Sequence, residues 1–96
     1  MTEGGDAEGT FSVAQELGFH LRPAGRFVRL ASRFDAEVEV ALRGDEWVSG
    51  QSLLALASLG ASRGSTLQIR ARGPDAAEAV VALGRLVEDP VEPPPD

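Results

Sequence analysis

The chain has 96 residues, 43% of them hydrophobic, with a formal net charge of −6, one histidine and no cysteine. That length holds one small domain with a single core, and the acidic balance excludes a life on nucleic acid, where basic charge supplies most of the affinity. Without cysteine there is no disulfide or thiol chemistry, a lone histidine excludes a multi-histidine metal centre, and no apolar run approaches the ~20 residues of a membrane span. With no basic-then-apolar leader, the expectation is a soluble cytoplasmic protein, more plausibly a carrier, binding module or regulator than a self-sufficient enzyme.

Residues 1–9 are small and acidic, so a mobile N-terminal tail is expected there. Over 10–15 the pattern alternates, with Phe11 and Val13 on one face, and predicts a half-buried strand. Ala24, Phe27, Val28, Ala31 and Phe34 recur at three- and four-residue steps and predict a helix over 21–33. Alternation returns over 37–43, with Val38, Val40 and Leu42 inward; Gly44 and Asp45 are turn residues, and Trp47-Val48 forms the return strand of a hairpin. A short helix is expected over 52–59, with Ser52 as N-cap and Gly60 as its stop.

A fourth strand is predicted over 65–72, with Leu67, Ile69 and Ala71 on one face. Asp75-Ala76-Ala77-Glu78 matches a capping box and opens a helix whose apolar stripe is Ala79, Val80, Leu83 and Val87. Four prolines in 89–96 predict an extended C-terminal tail, leaving a folded domain at 10–88. The order βαββαβα, with one apolar face per strand and one apolar stripe per helix, predicts an α+β fold. It has two layers: a four-stranded antiparallel sheet with three helices on one face.

His20 stands in the stretch Gly18-Phe19-His20-Leu21-Arg22-Pro23-Ala24, at a strand-to-helix junction. Pro23 suits a first helical turn, where its missing N–H has no partner to lose. The amides of Leu21 and Arg22 are then oriented toward the cap position, at the positive end of the helix dipole, which is a ready anion site. A neutral imidazole placed there is a nucleophile with donors waiting for a phosphoryl group. Arg22 opposes the dipole, and clamping phosphate oxygens is a role that offsets that opposition. The plain alternative is a partly exposed histidine beside a turn, and spacing alone does not separate the two.

The same stretch resembles the active-site motif of the HPr family, the histidine-containing phosphocarriers of the bacterial phosphoenolpyruvate-dependent sugar phosphotransferase system. Residues 51–60, from Gln51 through Ser52, Leu53 and Leu54 to Gly60, resemble the family's second-helix segment, and Gly64–Ile69 and Gly73–Ala76 resemble its last strand and last helix start. The resemblance implies an open-faced β-sandwich with sheet order 1-4-2-3. It implies phosphorylation of His20 on Nδ1 by phospho-enzyme I and transfer onward to IIA proteins or domains, with Arg22 stabilising the phosphorylated state beside the amides of Leu21 and Arg22. No metal or cofactor of the chain's own is needed.

Ser52 matches a serine phosphorylated in many bacteria by HPr kinase/phosphorylase. Leu21, Arg22, Gly25, Arg29, Leu53, Leu54 and Ala57 match partner-binding positions, Leu54 and Ala57 standing where methionine is frequent. Arg22, Arg26, Arg29 and Arg33 form a basic stripe that is either a solvated face or a steering surface. Phe19, Leu21, Gly25 and a longer hairpin over 43–47 depart from the commonest family pattern. A monomer is expected, exposing His20 to successive partners. The second reading is a regulatory relative, of a nitrogen-type phosphotransfer chain or controlled through Ser52, that signals instead of supporting sugar uptake; an interaction module with an idle histidine is a third.

Overall fold

The computed structural model describes residues 5–44 and 46–90. The elements are β1 (Asp6–Ser12), α1 (Leu21–Ala31), β2 (Glu37–Leu42), β3 (Trp47–Ser49), α2 (Leu53–Ala57), β4 (Thr66–Arg72) and α3 (Ala76–Glu88). The expected βαββαβα order is the one observed. The strands form one sheet in the order β1-β4-β2-β3, every neighbouring pair antiparallel. The fold is the four-stranded open-faced sandwich, with α3 against β1 and β4 and α1 beside α2 and α3.

Period-two alternation sorts the sheet into two chemically different faces. The inner face carries Phe11, Leu67, Ile69, Ala71, Val38 and Val40, which join Phe27, Leu56, Ala79, Leu83 and Val87 from the helices in one core. The outer face carries acid–base–acid rows in register, Asp6–Arg72–Glu37 and Glu8–Arg70–Glu39. Arg70 Nε meets Glu39 Oε1 at 2.8 Å, and its guanidinium lies 3.8 Å from the centre of the Trp47 ring. Charged side chains of this kind are well solvated, so this face needs no third layer.

Two differences from the expected elements have physical causes. The first strand begins at Asp6, so residues 6–9 are sheet and not tail; 1–4 and 91–96 lie outside the described residues, as does Asp45 of the expected turn. Asp6 and Glu8 oppose Arg72 and Arg70, while the inward positions are the small residues Ala7 and Gly9. Gly9 is small because the Phe11 ring lies over it: a Cβ there would sit 2.7 Å from Phe11 Cζ. Gly84 of α3 receives the other side of that ring. The strand also ends earlier than expected, at Ser12; Val13 still exchanges backbone bonds with Ser65 and Gly64 at 2.8 Å each, but Ala14 turns away and donates to Val87 O.

The second difference is at α3. Asp75 occupies the N-cap position but makes no capping bond with its side chain, so the capping box does not form. Its Oδ2 instead accepts the Asp35 amide at 2.7 Å, while the Asp75 amide donates to Asp35 O at 3.1 Å. The carboxylate thus staples the α1–β2 loop to the start of α3, a non-local partner winning over the local one. Ser52, by contrast, caps α2 as expected, its Oγ accepting from the Ala55 amide at 3.3 Å.

Candidate functional site

The site is built from the loop that joins β1 to α1. Gly18 has φ +81, and a Cβ on it would lie 2.6 Å from Ala61 O, so both the conformation and the space require glycine. The next amide, Phe19 N–H, donates to that same Ala61 O at 2.9 Å. Phe19 is 2% exposed and meets Phe27 edge-on, ring centres 5.7 Å apart. On the far side of His20, Pro23 and Ala24 are buried. His20 is therefore a half-buried residue gripped between two buried anchors, and its place is determined by core packing on either side.

His20 is the N-cap of α1. Its backbone is extended (φ −88, ψ −168), its carbonyl accepts the first helical bond from Ala24 N–H at 3.0 Å, and its Nδ1 faces the Arg22 amide at 3.5 Å. An Nδ1 that faces an amide N–H turns its lone pair toward it, an orientation that favours the tautomer with the proton on Nε2. The contact is long for a hydrogen bond, so the cap is weak and a better acceptor would displace it. The first turn of α1 contains no acidic residue. Helix polarity therefore presents a positive end, with no carboxylate from the first turn itself, to whatever approaches Nδ1.

The other residues named from the sequence fall as follows. Leu21 and Arg22 open α1 and are exposed, and Gly25 is half-buried with open space where a Cβ would be. Arg26, Arg29 and Arg33 are exposed along the same helix and just past it, Arg29 in the last turn, where a cation suits the negative end. On α2, which packs beside α1, Leu53 and Leu54 are 39% and 74% exposed. Ala57 is half-buried and so offers less surface than the sequence pattern suggests.

Two residues escaped the sequence reading. Leu17, in the turn just before Gly18, is 78% exposed, and an apolar residue next to a glycine turn was the available signal. Gln15 is buried in that loop, and nothing in an alternating strand pattern marks it.

A concavity of roughly 770 Å³ opens on the outer face of the sheet, lined by residues including Glu8, Glu39, Arg70 and Arg72, and His20 is not part of it. His20 instead sits at a helix start flanked by exposed leucines. Such a surface suits contact with another protein better than capture of a small molecule.

Fold and site together define a small α+β domain that presents one histidine at the N-terminus of its first helix. Residues 7–89 match the family model described as the PTS HPr component phosphorylation site. The chain is 41% identical over 76 residues to the phosphocarrier protein HPr of Vibrio cholerae, covering 79% of this chain and 88% of that one. It is 37% identical over 84 residues to the phosphocarrier protein HPr of Haloferax volcanii, covering 86% and 94%. The crystal structure of HPr from Bacillus anthracis superposes with a TM-score of 0.80 at 33% identity, covering 85% of this chain and 96% of that one. The chain belongs to the HPr family, the phosphocarriers of the phosphotransferase system. It works within a phosphoryl-transfer chain and therefore with partner enzymes.

Proposed function

We propose that His20 accepts a phosphoryl group on Nδ1 from phospho-enzyme I and passes it to IIA proteins or domains. The observation that carries this reading is the placement of Nδ1 against the Arg22 amide. The Nδ1 lone pair attacks phosphorus in line, the N–P bond forms, and the donor nitrogen leaves with the electrons of its own N–P bond. The new phosphoryl oxygens replace Nδ1 as acceptors for the helix-start amides of Leu21 and Arg22, and the Arg22 guanidinium balances their charge. Because phosphate is a stronger acceptor than imidazole and meets no carboxylate in the first turn, the loaded state is stabilised locally.

Leu21, Leu53 and Leu54 form the apolar part of the docking face, with Gly25, Ala57 and Arg29 at its margins, and a monomeric cytoplasmic carrier is the form that serves successive partners. Incubation with phosphoenolpyruvate and enzyme I should place an acid-labile, base-stable phosphate on His20. Label persisting in a folded His20→Ala variant would overturn the assignment.

Regulation through Ser52 is a second reading, favoured by its capping geometry. A phosphate on Oγ would sit at the start of α2, where anions are accepted, and would add negative charge beside the docking leucines. Treatment with ATP and an HPr kinase/phosphorylase should then give acid-stable label on Ser52, and its absence rejects this role. The sugar-uptake and signalling outputs separate in a transfer assay with sugar-specific IIA domains as acceptors.

A further inference from the structure

Gln15 is 2% exposed, a polar side chain within an otherwise apolar core. Its Nε2 donates to two carbonyls at the end of α3, Leu86 O at 3.0 Å and Asp89 O at 2.6 Å. Intrahelical donors run out at that end of a helix, so the amide acts as a cap delivered from a distant part of the chain. Its Oε1 is buried with no hydrogen-bond partner. A buried acceptor without a donor is destabilising, and a methionine would fill similar volume without that penalty. The residue therefore needs a reason, and the reason lies in what its amide holds.

The backbone of Gln15 belongs to the loop that places His20. Gln15 O accepts the Gly18 amide at 3.0 Å and closes a tight turn, while the preceding residue, Ala14, donates to Val87 O at 3.1 Å. Beyond the turn, the Phe19 amide is held by Ala61 O. Side chain and backbone of one residue thus join the last turn of α3 to the turn immediately before the histidine. We propose that Gln15 is a positioning residue for His20, clamping the 15–18 turn to the end of α3 so that Nδ1 stays aligned with the Arg22 amide. Its consequence for phosphoryl transfer rests on the reading of His20 as phosphoacceptor; its consequence for the imidazole does not.

Gln15→Met removes both tethering bonds and the orphan acceptor at once, and Gln15→Asn keeps the amide one methylene too short to reach both carbonyls. With phospho-enzyme I as donor, the maximal rate of phosphoryl acceptance should fall about tenfold in Gln15→Met and less in Gln15→Asn, since modest misplacement of a reacting group is costly. The half-saturating concentration of phospho-enzyme I should change by less than about twofold, because the docking leucines are untouched. Imidazole ¹⁵N NMR of the unphosphorylated variants should show the Nε2–H tautomer of the wild type giving way to a mixture.

Unchanged rate and unchanged ¹⁵N shifts, with only a lowered Tm, would make Gln15 purely structural and overturn the proposal. Should Gln15→Met fail to fold, Gln15→Asn carries both readouts. If the wild type takes no phosphate from enzyme I, the phosphoacceptor reading fails while the ¹⁵N comparison still decides the positioning role.

Discussion

At the start of α1 the cap is an imidazole 3.5 Å from the amide it serves, no acidic residue stands in the first turn, and Arg22 adds a cation. At the start of α3 the opposite holds: Glu78 lies in the first turn, and the Asp75 carboxylate is bonded to the Asp35 amide beside it. Both helix ends carry the same partial positive charge, yet only α3 has it balanced by its own side chains. The difference teaches where the protein maximises stability and where it withholds it. The α3 start carries acidic side chains of its own, whereas the first turn of α1 carries none, and the proposed phosphoryl group on His20 would supply that negative charge.

The comparison can be broken most directly by giving α1 what α3 already has. Leu21→Glu places a carboxylate in the first turn, and it should raise stability by about 0.3–1 kcal/mol through the dipole. The same change should slow phosphoryl acceptance at least about tenfold, because the carboxylate repels the incoming phosphoryl group across a short distance. Denaturant unfolding and the labelling rate should move in opposite directions. If both rise, the open positive end has no role in transfer.

Asp75→Ala tests the other pole. It leaves the Asp35 amide without its carboxylate and should destabilise the fold by about 1–2 kcal/mol in denaturant titration, with the labelling rate of the folded protein unchanged. The smallest effect concerns Gly25, where a Cβ would meet nothing within 4 Å. Gly25→Ala should therefore raise the unfolding midpoint by an amount worth about 0.5–1 kcal/mol. A weaker complex with phospho-enzyme I in the same variant, measured by titration, would assign the glycine to the docking face; unchanged affinity would leave it as a helix defect alone.

Much of this was legible in the sequence because the signals were local. Phe27 and Ala31 repeat at helical spacing, Leu67 and Ile69 alternate, and Ser52 needs only the amide three residues on to act as a cap. The His20 motif could be read as a helix start for the same reason, Pro23 and the glycine before it being short-range punctuation. What failed depended on partners far along the chain. Gly9 looked like tail because its inward position is small to admit the Phe11 ring, a demand set jointly with Gly84. Asp75 matched a local capping pattern but was taken by Asp35, and Gln15 was invisible because its partners, Leu86 and Asp89, stand at the other end of the chain.

The outer face of the sheet has a practical consequence. Trp47 is the only tryptophan of the chain, and it lies under the Arg70 guanidinium on the face opposite the helices. Its fluorescence is thus an optical probe of β2, β3 and β4 pairing that does not share a surface with His20. Unfolding should register in the emission, while loading of the imidazole should leave it nearly unchanged, giving an internal reference against which the chemistry of the histidine can be followed in the same cuvette.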